Sequence, residues 1–157
     1  MPAPVIFYDG VCGFCDRTVR FVLARDPGGT FRFAPLQSDY AVDTLAAHGR
    51  DARDLDTVCL LDGGRLRIKS DAMLAILARL GGIWRLAAVA RLVPRALRDA
   101  AYTWFIGHRY QWFGRFDQCA LPPPELRHRF LGADRLSQAR VAPIPAADTR
   151  SAIGDKR

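Results

Sequence analysis

Lysine is almost missing from this chain. Lys69 and Lys156 are the only two, so the formal charge of +7 is carried by arginines spread from Arg17 to Arg157. Dispersed charge of this kind reads as a solvated surface, and no nucleic-acid motif accompanies it, so no nucleic-acid partner is expected. Long apolar runs are missing as well. No stretch approaches eighteen uninterrupted apolar residues, and Met1 to Cys12 lack the basic start and apolar run of a secretory signal, so the expected compartment is the cytoplasm. Cysteine is scarce, with Cys12, Cys15, Cys59 and Cys119 too few and too irregularly spaced for a secreted disulfide scaffold. No internal repeat is present.

What remains suits one ordinary domain: 157 residues, half of them hydrophobic, enough to bury a core without metals or structural disulfides. Val5-Ile6-Phe7-Tyr8 reads as a buried strand closed by Asp9-Gly10. Cys15, Val19, Val22 and Leu23 then form one helical stripe that runs to about Arg25, before Pro27-Gly28-Gly29. Phe31 to Leu36 alternates like a second strand. Ser38 and Asp39 cap a helix with Val42, Leu45 and Ala46 on its buried side. Thr57–Leu61 and Arg65–Ile68 flank Asp62-Gly63-Gly64 as an antiparallel hairpin. Ser70 and Asp71 cap the next helix, with core stripe Met73, Ile76, Leu77 and Leu80.

This order of elements predicts an α/β fold, a thioredoxin-like βαβ-α-ββα sheet domain with a C-terminal helical extension. The extension comprises a helix over Trp84–Val93, with stripe Leu86, Val89, Ala90 and Val93, and a helix opened by Pro94, with stripe Leu97, Ala101, Trp104 and Phe105. The domain is expected over residues 1–131, with added helices at about 83–131. The aperiodic Pro, Ala, Ser, Arg and Asp of residues 132–157 read as a disordered tail.

The Cys12-Gly13-Phe14-Cys15 motif follows the first strand and opens the first helix. Unpaired N–H groups and the macrodipole at a helix start favour a thiolate, which casts Cys12 as a nucleophile. Cys15 shares its helix face and begins the apolar stripe, which casts it as the less exposed resolving thiol. Gly10 and Gly13 are expected to keep the first sulfur open to a partner chain. Asp9 has two readings: a relay for the Cys15 proton, or a turn residue bonding nearby N–H groups.

Two other readings of the pair stay open. It is half of a tetrahedral zinc site whose other half is missing, since Cys59 and Cys119 belong to no second close pair; or it is two reduced core cysteines. No cofactor and no metal is expected. Ser70 and Asp71 read as N-caps, with a peptide or glutathione terminus as the functional alternative. Cys59 reads as core, and Cys119, near a proline run, as exposed. The run His108 to Arg115 mixes cations with aromatics and reads as packing, with its arginines pointing outward.

The segment Tyr8-Asp9-Gly10-Val11-Cys12-Gly13-Phe14-Cys15, followed by Arg17, Val19, Arg20 and Phe21, resembles the signature of the DCC family of predicted thiol-disulfide oxidoreductases, named for Asp-x-x-Cys-x-x-Cys. The likeness continues through Phe31–Ser38, Ser70-Asp71-Ala72, Leu92-Val93-Pro94 and Tyr110–Arg115, and covers about residues 5–131. It implies a thioredoxin-like fold and assigns Asp9, Cys12 and Cys15 to the family motif. Relative to thioredoxin itself, no Trp precedes Cys12, Gly13-Phe14 replaces Gly-Pro, and Asp56-Thr57 stands where a proline shapes the peptide-docking surface.

The expectation is therefore a thiol-disulfide oxidoreductase enzyme that exchanges a Cys12–Cys15 dithiol with a protein or low-molecular-weight disulfide. The alternative is a non-catalytic thioredoxin-like binding module that docks a partner or a membrane surface through the segments after Trp84. A glutathione transferase arrangement is a weaker third reading, because two short helices are too few for that family's helical domain.

Overall fold

A computed structural model describes residues 2–54, 57–115 and 124–132. The elements follow in the order β1 (Val5–Tyr8), α1 (Gly13–Arg25), β2 (Arg32–Pro35), α2 (Asp39–Ala47), β3 (Cys59–Asp62), β4 (Arg65–Ile68), α3 (Lys69–Leu80), a 3-10 segment (Gly82–Leu92) and α4 (Arg95–Phe113). Cys119 and residues 133–157 of the expected tail lie outside the described residues.

The four strands form one sheet in the order β2-β1-β3-β4. β1 runs parallel to β2 and antiparallel to β3, and β3 pairs antiparallel with β4 across the Gly63-Gly64 turn. A parallel crossover joined to an antiparallel hairpin is the thioredoxin-like arrangement, and this chain has that fold. β1 is central and wholly buried because its side chains alternate between two cores. Ile6 and Tyr8 join Cys12, Cys15, Val19, Val22, Phe31, Phe33, Leu60 and Ile76 on the face covered by α1 and α3. Val5 and Phe7 join Ala34, Leu36, Ala41, Leu45 and Cys59 on the face covered by α2. Phe7, Phe31 and Phe33 are completely buried, each contributing about 1.5–3 kcal/mol of hydrophobic stabilisation.

The far edge of the sheet is closed by a distant segment. Leu131 N–H donates to the Phe33 carbonyl at 2.7 Å, and Phe130 bridges Phe33 in parallel. Arg129 anchors this contact from inside: its guanidinium pairs with the Asp26 carboxylate and donates to the Phe31 carbonyl at 3.1 and 3.2 Å. Asp26 also accepts from the N–H groups of Thr30 at 3.0 Å and Phe31 at 2.9 Å. Burial pushes the Asp26 carboxyl up, but these N–H bonds and Arg129 outweigh it and hold the group below its ordinary range.

Three expectations are corrected. In α2, Ser38 caps as expected, its Oγ accepting from Ala41 N–H at 3.2 Å, and Leu45 is buried. The buried face is completed by Ala41, however, while Val42 and Ala46 are exposed. A small side chain there lets the short helix lie close to the sheet, and the larger Val42 takes the outer side.

The expected α-helix over Trp84–Val93 is instead a 3-10 segment, entered through Gly81 and Gly82, which both have positive φ. A 3-10 helix stacks residues three apart. Trp84, Ala87 and Ala90 therefore form the half-buried edge, and Leu86 and Val89 are exposed.

In α4 the expected stripe is rotated. Leu97, Ala101 and Trp104 face outward, and the inner face is Tyr102, Phe105, Ile106, Arg109, Tyr110 and Phe113, spaced at helical intervals. A reading based on apolar residues passes over this face because three of its members end in polar atoms.

Candidate active site

Two glycines and a helix start set the position of Cys12. The chain leaves β1 at Tyr8, turns through Asp9 and Gly10, and enters α1 with Cys12 as the extended N-cap residue. Its backbone N–H donates to the Asp9 carbonyl at 3.3 Å. Cys12, Cys15 and Cys59 are all free thiols.

The two thiols of the motif are driven apart in acidity. Cys12 is lowered to about 6, first by its hydrogen bond with the Cys15 side chain, against burial, and further by the Cys15 N–H, the Arg109 charge and the Phe14 N–H. Cys15 is raised, first by the same hydrogen bond, then by burial and by the negative charge of Cys12. This is one proton held between two sulfurs: it resides on Cys15, and Cys12 carries the charge at the open N–H groups of the helix start. Cys59 stands apart as expected, fully buried in β3 and pushed up to about 12 by burial.

Asp9 is at the centre of a polar network that the sequence reading did not assemble. Its Oδ1 accepts from Val11 N–H at 3.2 Å and from Gln37 Nε2 at 2.9 Å, while Gln37 Oε1 accepts from Gly10 N–H at 3.2 Å. Its Oδ2 accepts from the Tyr110 hydroxyl at 2.8 Å and lies 3.5 Å from Arg109 NH2. Arg109 in turn donates to the Tyr110 hydroxyl at 2.7 Å. Asp9 thus serves the turn through one oxygen and meets α4 through the other.

Arg109 corrects the expectation that the arginines of the 108–115 run point outward: it is 2 % exposed. Gln37, Arg109 and Tyr110 are the site residues that sequence reasoning missed. Gln37 and Tyr110 lie in segments that carry the family resemblance and Arg109 directly precedes one, which was the only signal of a role.

The expected accessibility is corrected too. Cys12 is as fully buried as Cys15. The cover is the chain just beyond α4: Arg115 bridges Cys12 as an antiparallel partner, and Gly13 N–H donates to the Gly114 carbonyl at 3.3 Å. Gly13 exists for this approach rather than to open the sulfur, since a Cβ at that position would sit 2.2 Å from the Phe113 carbonyl oxygen. Phe14 packs against α4, its ring 4.9 Å from that of Phe105 and 5.3 Å from that of Phe113. Among the described residues, no group of three or more His, Cys, Asp or Glu side chains is placed to hold a metal ion.

A helix-start cysteine pair with opposed acidities, in this fold, agrees with what comparison with known proteins finds. The family model for DCC1-like thiol-disulfide oxidoreductase matches residues 6–115. The chain belongs to this family. It is similar to YuxK of Bacillus subtilis, an uncharacterized protein, at 35 % identity over 131 residues, covering 83 % of this chain and 96 % of that one. It is also similar to a DCC family protein of Arabidopsis thaliana described as chloroplastic, at 35 % identity over 119 residues, covering 75 % of this chain and 69 % of that one. No solved structure matches.

Two further members of the family resemblance have structural partners. Ser70 and Asp71 do not cap α3, whose N-cap is Ile68 without a side-chain bond. Ser70 Oγ donates to Asp99 Oδ1 at 2.5 Å, and Arg98 reaches both Ser70 Oγ at 3.2 Å and Asp71 Oδ1 at 3.0 Å. The helix begins at Lys69, at least two residues earlier than the capping pattern implies, so both side chains fall within its first turn and tie it to α4. At the thioredoxin proline position, Thr57 is buried and its hydroxyl donates to the Tyr102 oxygen at 2.5 Å, with Tyr102 pushed up to about 12 mainly by burial.

Proposed function

We propose that this protein is a thiol-disulfide oxidoreductase with Cys12 as nucleophile, Cys15 as resolving thiol and Asp9 as proton relay, acting on a protein or low-molecular-weight disulfide. The observation that carries this reading is the placement of Cys12 as the N-cap of α1, directly after β1, with the Cys15 thiol of the first turn hydrogen-bonded to it, which lowers Cys12 and raises Cys15. An attacking thiol must be ionised at working pH, and a resolving thiol must keep its proton until it is needed.

In the reductive direction, the Cys12 thiolate attacks one sulfur of the substrate disulfide. A Cys12–substrate disulfide forms, and the other substrate sulfur leaves as a thiolate that takes up a proton. Bonding Cys12 removes the negative charge that held the Cys15 proton in place. Cys15 then gives its proton to Asp9, whose backbone N–H and carboxylate both act on the Cys15 sulfur. The Cys15 thiolate attacks Cys12 Sγ, closing the Cys12–Cys15 bond and releasing the second substrate sulfur, which is protonated from Asp9. Two electrons pass from the protein to the substrate. The reverse sequence oxidises a dithiol.

For this chemistry the Gly114–Arg115 cover has to lift from Cys12. The 3.3 Å bond from Gly13 to Gly114 is long, and an intramolecular hydrogen bond contributes only about 0.5–1.5 kcal/mol net, so opening is inexpensive. In a reducing compartment such as the cytoplasm, the resting protein is the dithiol with the charge on Cys12.

The test is a redox titration in a glutathione series, trapping free thiols by alkylation and reading Cys12 and Cys15 by mass spectrometry. A reversible Cys12–Cys15 disulfide is expected, together with loss of disulfide reduction in Cys12→Ser. A pair that never closes, or full activity in Cys12→Ser, would overturn the proposal.

A further inference from the structure

The 3-10 segment Gly82–Leu92 presents three distinct edges, because residues three apart eclipse one another. One edge, Trp84, Ala87 and Ala90, is packed, with the Trp84 ring against Phe21 at 4.8 Å and under the Arg25 guanidinium at 5.1 Å. The second edge is Ile83, Leu86, Val89 and Leu92, which are 72, 67, 61 and 85 % exposed. The third carries Arg85 and Arg91, both exposed.

Four aliphatic side chains in a single row, spanning about 18 Å at the 3-10 rise, form a ridge that the described residues leave uncovered. Leu97, 63 % exposed, follows at the start of α4. From Ala72 to Arg98 the chain has no Asp or Glu and five arginines. Arg79, Arg95 and Arg98 are paired with carboxylates, whereas Arg85 and Arg91 form no ion pair among the described residues.

We propose that this ridge docks the protein on an anionic lipid surface, with Ile83, Leu86, Val89 and Leu92 entering the headgroup boundary and Arg85 and Arg91 meeting lipid phosphates and carboxylates. The ridge is purely aliphatic, and the one aromatic residue of the segment, Trp84, is turned inward on the packed edge. Protein interfaces concentrate exposed aromatics at their core, whereas an apolar line flanked by cations is the pattern of an interfacial helix. A second copy of the chain is disfavoured, because it would set an acid-free arginine edge against its own like. None of the described helices is long and apolar enough to cross a membrane, so the contact is a peripheral one.

The test is sedimentation of the full chain with vesicles of phosphatidylcholine containing phosphatidylserine, compared with phosphatidylcholine alone. Binding to the anionic vesicles, weakened by salt, is expected. Arg85→Gln with Arg91→Gln should weaken it about thirty-fold at low salt. Leu86→Ser with Leu92→Ser should abolish it, and Cys12→Ser should leave it intact. All four substituted positions are exposed, so unchanged thermal unfolding verifies that the variants are folded. Equal binding to both vesicle types, or no loss in the arginine variant, overturns the proposal. Absence of vesicle binding overturns it as well; in that case a self-association lost in the leucine variant gives the ridge to a second copy, and no self-association gives it to a protein partner.

Discussion

The Tyr110 hydroxyl reaches Asp9 Oδ2 at 2.8 Å, joining residues 101 positions apart. The turn that presents Cys12 is therefore held by the far end of α4, and the helix that fixes Asp9 also brings the Arg109 charge to Cys12. The consequences of this arrangement are open to measurement.

Arg109→Met removes a buried cation whose charge helps to lower Cys12. The pH at which Cys12 half-ionises should rise by roughly one unit. Iodoacetamide alkylation followed against pH measures it, and Arg109→Lys should recover part of the difference, which a purely structural role for the arginine would not produce.

In the unaltered protein, alkylation of Cys12 should rise through a midpoint near pH about 6, far below the ordinary thiol value of 9.0. Cys15 is shifted the other way, so it should stay unmodified across the same range. Equal labelling of both residues at pH 7, read by mass spectrometry, would contradict the assignment of roles.

Asp9→Asn keeps the turn acceptor for Val11 and Gln37 and turns an amide N–H toward the Tyr110 oxygen, but cannot take a proton. The first attack should proceed and the second should slow by about 10²–10⁴-fold, the usual contribution of a positioned base. Quenched reactions should then accumulate the mixed disulfide on Cys12. If Asp9 serves only the turn, no such intermediate will build up.

Gly13→Ala places a methyl group 2.2 Å from the Phe113 carbonyl oxygen, on backbone that cannot rotate away. The end of α4 has to shift, at a cost of about 1–3 kcal/mol as for other overpacked sites. Stability measured in urea should fall while the rate of Cys12 alkylation rises. A loss of stability without faster labelling would mean that the cover stays closed.

Arg129→Met strands the Asp26 carboxylate in the interior and should cost about 3–5 kcal/mol. The folded-state value of Asp26 lies below its unfolded value, so its contribution to stability is fully present above the ordinary carboxylate range. That contribution is lost as pH falls through the lowered folded value. Urea unfolding from neutral to acidic pH should show a steep acid limb in the unaltered protein and a shallower one in Arg129→Met.

The sheet order was legible in the sequence because each of its elements is carried by local signals: the β-branched run at Val5, the Gly63-Gly64 turn and the Ser38 cap all act within a few residues. Cys12, Cys15 and Asp9 stand out as candidates for the same reason, because their motif is local. Gln37, Arg109 and Tyr110 do not, because their roles arise from contacts 28 to 101 residues away in the chain. The α4 face was misread where polar-tipped side chains do the packing. The 82–92 segment was misread because its threefold spacing also satisfies part of a helical stripe.

The bridge between Arg115 and Cys12 separates how acidic the Cys12 thiol is from how often it is seen. Its observed reactivity is the product of a thiolate fraction, set by Cys15, the helix start and Arg109, and an opening frequency, set by the end of α4. At high concentrations of a small reagent, labelling should therefore reach a ceiling that no longer depends on the reagent. That ceiling is the opening rate itself, and a true substrate that grips the 113–115 segment would escape it by lifting the cover as it binds.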